Sequence, residues 1–140
     1  MDKNSNNNII EYAINPNLSA STFLNLVNKI WPGKYNIEKS EIALKKTINI
    51  TAWHHKALIG CVRLLTDGYF FSTITEILVH PNYQNQGIGS KLMEMAFKKS
   101  PSSLSFGVQP GNEAFFIKLG YGKGIDSYQK KKDRNSKNTQ

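Results

Sequence analysis

The stretch from Thr75 to Phe97 changes character twice, and the rest of the chain is arranged around it. Thr75 to Val79 reads as an apolar strand, His80-Pro81-Asn82 breaks it, and an amphipathic helix starts at Gly87. The link carries the amides Gln84, Asn85 and Gln86 and the glycines Gly87 and Gly89. A helix start has backbone N–H groups without intrahelical partners, and the helix dipole adds partial positive charge there. A strand feeding such a start through a glycine-bearing turn is an anion site, so this turn is expected to hold a phosphate-bearing ligand. Two nucleotide motifs do not fit. A dinucleotide fingerprint needs a third glycine where Leu92 stands, and a Walker A loop needs Gly-Lys-Ser/Thr where the order is Gly89-Ser90-Lys91.

The rest of the chain supplies a sheet around this stretch. Ile9 to Ile14 reads as a strand ended by Asn15-Pro16-Asn17. Ser19 or Ser21 caps a helix in which Phe23, Leu24, Val27 and Ile30 recur at helical spacing, and Trp31-Pro32-Gly33 stops it. Ile37 to Lys46 predicts a second, short helix with Ile42 and Leu44 inward. Ile48 to His54 alternates, with Ile48, Ile50 and Ala52 on one face and Asn49, Thr51 and Trp53 on the other. A tight link at His55-Lys56 leads into a strand from Ala57 to Leu65, and the turn signal Asp67-Gly68 into another from Tyr69 to Val79. Ser100-Pro101-Ser102 ends the Gly87 helix, and Leu104 to Val108 is expected to run parallel to the strand before it. Asn112 caps a helix through Leu119, Gly120 ends it, and one or two strand segments are expected within Tyr121 to Lys131. The expected class is α/β, a mixed and mostly antiparallel central sheet with helices on both faces. Residues 1–8 are expected to be disordered, 9–132 to form one domain, and 133–140 to be a basic polar tail.

Bulk properties narrow the partners. At 140 residues the chain can bury a core without staples, and no apolar run is long enough for a membrane span. Met1 to Asn8 is polar and is no signal peptide; Cys61, the only cysteine, has no partner for an internal disulfide. A reducing, cytoplasmic setting is therefore expected. The net charge is +8, but residues 130–140 hold five Lys/Arg and one Asp, a net of +4. The body is only mildly basic, which suits an anionic cofactor, and neither nucleic acid nor a membrane is expected as a partner. His54, His55 and His80 lack zinc spacing, so no metal is expected, and Cys61 reads as a packed strand thiol.

Val79-His80-Pro81-Asn82-Tyr83-Gln84-Asn85-Gln86-Gly87-Ile88-Gly89 resembles the acyl-coenzyme A signature of the GNAT superfamily of N-acetyltransferases, Val-x-Pro-x-Tyr-Arg/Gln-x-x-Gly-x-Gly/Ala, at every defined position. Upstream, Leu58-Ile59-Gly60, Arg63 and Asp67-Gly68 resemble the preceding hairpin of small bacterial members and of arylalkylamine acetyltransferases. Downstream, Phe116 to Tyr121 is similar to the family's Tyr-x-x-Leu-Gly-Phe block, so the likeness covers about residues 45–132.

The resemblance implies acetyl-CoA as co-substrate and direct transfer of its acetyl group to a primary amine, of a small molecule or a protein, in a ternary complex. It implies that backbone N–H groups of Gln84, Asn85, Gln86, Gly87, Ile88, Gly89 and Ser90 receive the pyrophosphate, with Asn112 and Phe116 as further coenzyme contacts. The strand through Leu78 and Val79 would splay from the Leu104 strand to admit the pantetheine arm, and the Val79 N–H would hold the oxyanion. Glu76, three residues before Val79, is the candidate general base or amine anchor, against its plainer role as a strand glutamate paired with a cation. Trp53, Tyr69 and Phe71 are candidates for the acceptor pocket. A homodimer is left open. One position departs from the pattern: the family's usual general-acid tyrosine is Phe116 here. That substitution motivates one alternative, a coenzyme-binding protein without turnover; the charge motivates another, a nucleic-acid-binding module. Deleting residues 130–140 should abolish salt-sensitive retention on DNA, read by elution at rising ionic strength; undiminished retention would favour the nucleic-acid alternative.

Overall fold

The computed structural model describes residues 9–133, so the expectations for residues 1–8 and for the tail beyond Asp133 lie outside the described residues. By its internal contacts the chain divides into residues 1–106 and residues 107–140, taken separately below.

In the first unit, β1 (Glu11–Ile14), β2 (Ile48–His54), β3 (Ala57–Thr66), β4 (Ser72–Val79) and β5 (Leu104–Ser105) form one sheet in sequence order. The first four strands pair antiparallel, and β5 runs parallel to β4. This is the mixed, mostly antiparallel sheet that the strand–helix order predicts. The β2–β3 turn places His55 and Lys56 both at positive φ (51° and 65°), the combination whose twist matches the flanking strands. Ser19, not Ser21, caps α1 (Ala20–Ile30): its hydroxyl accepts the Thr22 N–H at 3.1 Å. Asn36 does the same for α2 (Ile37–Lys45) through Lys39 N–H at 2.8 Å. Leu44 of α2 is buried as expected, but Ile42 is 55% exposed.

Two β-bulges set the faces of the sheet. Ala52 pairs with Gly60 and Trp53 with Leu58, so Ile59 is an extra residue in β3. Arg63 pairs with Glu76 and Leu64 with Ile74, so Thr75 is an extra residue in β4. One face then carries Leu58, Cys61 and Leu78, which pack with Phe23, Leu24 and Val27 of α1 and Leu44 of α2. The other face carries Ala52 and Gly60 beneath α3 (Ile88–Lys99), whose Ile88, Leu92, Met93 and Ala96 are buried. Each of the larger of these side chains stabilises the fold by roughly 2 kcal/mol through burial. Both faces are covered, so β2 also buries polar residues, and these are satisfied. Asn49 donates to Leu44 O at 2.8 Å, and Thr51 donates to Ala13 O at 3.2 Å.

Three strand expectations need correction. The fourth strand begins at Ser72, not Tyr69, because the Asp67 carboxylate accepts the N–H groups of Tyr69, Phe70 and Phe71 at 2.9, 2.8 and 3.1 Å. Those N–H groups are unavailable to a ladder, and the same bonds hold the Asp67 carboxyl below the usual carboxylate range. The fifth strand is two residues long and does not reach Val108.

In the second unit, α4 (Glu113–Lys118) is present and Gly120 ends it at φ +94°. No strand occurs in Tyr121–Lys131. Its glycines and lysines leave little to bury, and Ile125 and Tyr128 are 99% and 93% exposed.

Gly60 lies in close contact with α3 and has no room for a side chain. A Cβ there would lie 3.1 Å from both Ile88 Cγ2 and Leu92 Cδ1 and 3.3 Å from Ala52 Cβ. Gly60→Val should therefore lower stability by about 2 kcal/mol, measured by chemical denaturation, by overpacking this contact.

Candidate acyl-coenzyme A site

The β4–β5 ladder consists of two pairs, Ser72↔Leu104 and Thr73↔Ser105, and extends no further. On its other side β4 is paired with β3 as far as Val79, opposite Gly60, and the His80 N–H continues the pairing onto Ile59 O at 2.7 Å. Successive residues of a strand turn their backbone groups to opposite sides. With His80 directed at β3, the Val79 N–H and C=O point away from it. The Val79 carbonyl accepts Gln84 Nε2 at 3.2 Å, which folds the start of the following turn back over the strand end. Leu78 lies on the α1 face, buried opposite Cys61, so its side chain serves the core.

Pro81–Tyr83 then forms one turn of 3-10 helix, with His80 as its cap. Asn85 and Gly87 take positive φ, 63° and 83°. Gly87 is the residue before α3 and has no side chain, so no side-chain cap meets the helix's first N–H groups. Those are the groups of Ile88, Gly89 and Ser90. The first turn contains no acid to repel an anion. Ile88 is buried under the sheet, whereas Gln84, Asn85, Gln86 and Gly87 are exposed. This is the anion-competent helix start that the sequence pattern anticipates, built from a left-handed glycine rather than from a capping side chain.

Glu76 is not a free carboxylate. Arg63 engages it with two nitrogens: Nη2 donates to Oε1 at 2.7 Å, and Nε donates to Oε2. Thr75 Oγ1 donates to Oε1 at 3.0 Å, and the two charged side chains are each 16% exposed. The guanidinium also sits 5.4 Å from the centre of the Phe23 ring. This partner was invisible in the sequence, because the Thr75 bulge decides which residue faces Glu76. Cys61 is buried on the same face, and burial, reinforced by the Glu76 charge and opposed by that of Arg63, pushes its thiol up to about 12.

The three aromatic candidates do not meet. Trp53 pairs with Leu58 at the start of β3, donates to Thr51 Oγ1 at 2.8 Å and packs on the α1-side core. Tyr69 and Phe71 follow the end of β3, roughly 25 Å away along the strand, and are 75% and 56% exposed. Only Trp53 lies at the Val79 end of the sheet. In the second unit, Asn112 precedes α4 without a side-chain cap, and Phe116 is buried against Phe115 and Tyr121, ring centres 4.9 and 6.2 Å apart.

The sequence profile of the acetyltransferase (GNAT) domain matches residues 46–123, more than half of the chain. The chain belongs to the GNAT family. A Porphyra purpurea protein described as an uncharacterized N-acetyltransferase is 29% identical over 102 residues, 66% of this chain and 59% of its own length. A probable acetyltransferase of Glycine max is 35% identical over 81 residues, 49% of this chain and 32% of its own. The chain thus spans less than two thirds of the length of each of these relatives. In fold it is similar to a GNAT-family protein of Streptococcus pneumoniae, with a TM-score of 0.71 and 24% identity, covering 88% of this chain and all of that one. No helix among the described residues of this GNAT chain is long and apolar enough to cross a membrane.

Because the Cys61 thiol is buried and held protonated, iodoacetamide at pH 8 should label it at least 100-fold more slowly in the folded protein than in denaturant. Mass spectrometry of timed samples measures the ratio, and similar rates in both states would contradict the packing described.

Proposed function

We propose that this GNAT protein transfers the acetyl group of acetyl-CoA to a primary amine. One observation carries the reading: a β4 edge released by β5 after two residues runs into an uncapped helix start. The released edge suits the amides of an extended pantetheine arm, which would bond as an added strand. The N–H groups from Gln84 to Ser90 suit the pyrophosphate, and the outward Val79 N–H suits the oxyanion that forms at the thioester carbonyl. Asn112 and Phe116 belong to this reading through the family pattern alone. We take residues 9–132 to act as one acetyltransferase domain, since the family match runs across both units. A cytoplasmic setting belongs to the same reading and rests on the lone, buried thiol.

In the reaction the amine nitrogen bonds to the acetyl carbon, the C–S bond breaks, and the nitrogen loses a proton as the coenzyme thiolate leaves. A thiolate with a pKa of roughly 8.5 departs without a strong acid, so Phe116 in the family's tyrosine position does not forbid turnover. Glu76 is the nearest carboxylate in sequence to Val79. Its bidentate bond to Arg63 supports a role in fixing β3 against β4 and keeping this face electroneutral. Trp53 is the aromatic candidate retained for the acceptor side, where either a small-molecule or a protein amine fits the reading.

A second reading, coenzyme binding without turnover, draws on two observations, the engaged Glu76 and the phenylalanine at position 116. An amine panel assayed by release of free coenzyme thiol separates the two. Turnover on at least one amine is expected, and tight binding with no turnover on any amine would favour the second reading.

Two variants probe the residues. Gly87→Val forces a β-branched residue to φ +83° and should weaken coenzyme binding at least tenfold by calorimetry. Glu76→Gln should leave the pH profile of kcat unmoved and lower stability by about 3 kcal/mol, because it strips Arg63 of its counter-charge. A loss of 100-fold or more in kcat, with the fall of kcat at low pH gone from the profile, would instead make Glu76 the base.

A further inference from the structure

Tyr83 closes the short turn between β4 and Gly87, and its hydroxyl lies 2.7 Å from Nδ1 of His54. His54 ends β2, which lies two places from β4 in the sheet, so the bond spans the end of β3. The Tyr83 ring is also held from two sides. It meets the His54 ring edge-on at 5.4 Å and the His80 ring edge-on at 5.6 Å. His80 is itself fixed, its Nδ1 accepting the Asn82 N–H at 3.1 Å.

Apart from the His80 N–H bond to Ile59 O at its first residue, the other described bonds of this turn are local. Tyr83 N–H donates to His80 O at 2.8 Å, and Gln84 Nε2 donates to Val79 O at 3.2 Å. Both tie the turn to the end of the strand it has just left. The residues that follow need holding, because Asn85 is a non-glycine residue at φ +63° and Gly87 is left-handed as well. The bond to His54 gives the turn a second fixed point, on a strand paired along its whole length.

We infer that His54 is a positioning residue for the phosphate turn. It grips Tyr83 and so presets the backbone N–H groups from Gln84 to Ser90 for a pyrophosphate. The inference rests on the coenzyme reading above. Presetting matters because a flexible anion cradle must be ordered at the moment of binding, and that cost is subtracted from affinity. The effect is confined to the phosphate end of the ligand, which separates it from a general packing role.

The test compares coenzyme A with pantetheine, which lacks the phosphates, on the full chain carrying Tyr83→Phe, His54→Ala, both together, or His54→Asn. Coenzyme A affinity is measured by calorimetry and pantetheine affinity by NMR titration into the millimolar range. Tyr83→Phe and His54→Ala should each weaken coenzyme A about tenfold, the double variant no more than either alone, as for two ends of one bond. His54→Asn, whose amide can take the place of Nδ1, should recover most of the loss. Pantetheine affinity should stay within twofold throughout. Equal losses for both ligands, additive losses in the double variant, or no loss with the wild type still binding would each overturn the role of His54. Failure of the wild-type protein to bind coenzyme A would overturn the coenzyme reading and this inference with it.

Discussion

Strand β4 has backbone groups on two sides to satisfy, and the described sheet satisfies them unevenly. Toward β3 the pairing runs from Ser72 to Val79; toward β5 it runs over Ser72 and Thr73. Backbone N–H and C=O groups demand partners, so a strand released from its neighbour in mid-course is a binding edge waiting for a ligand or for water. The start of the ladder is secured by hydroxyls instead. Buried Ser72 accepts from Ser102 at 2.9 Å and donates to Thr66 at 2.8 Å, tying β3, β4 and the approach to β5 at one end. The sheet is thus pinned where β5 begins and open where the proposed chemistry lies.

Much of this was legible in the sequence because it is encoded locally. Alternation in Ile48–His54, the left-handed glycine before a helix and the serine ahead of Ala20 each act within a few residues. What the sequence hid is long-range. The partner of Glu76 depends on a bulge at Thr75 that no local pattern announces. Trp53, Tyr69 and Phe71 looked equivalent as aromatic strand residues, but the hairpin register sends them to opposite ends of β3. The Tyr69 boundary failed for a different reason. Asp67-Gly68 was correctly a turn signal, but the reach of one carboxylate over three following N–H groups lengthened the loop. The strands expected after Gly120 are absent on composition, since glycine and lysine there leave too little apolar surface to pack as a strand.

Charge on the α1 face follows a similar logic. Arg63 and Glu76 face each other across a strand pair, under the Phe23 ring, with little solvent around them. A lone carboxylate at that depth would be costly, and a lone guanidinium equally so; together they form a neutral, fork-shaped unit of fixed geometry. The same pair acts on the neighbouring Cys61 thiol in opposite directions, and burial decides the result. This face behaves as core, with charge tolerated because it is matched.

The bulge at Thr75 has a genetic consequence. Side-chain parity and backbone direction in a strand both have a period of two. Thr75 has no partner on β3, so an in-frame loss of its codon would leave Ile74 opposite Leu64 and Glu76 opposite Arg63 as consecutive pairs. Glu76, Leu78 and Val79 would keep their partners and their faces. Position 75 is thus the point at which this strand can change length by one residue without turning its ligand-facing end over.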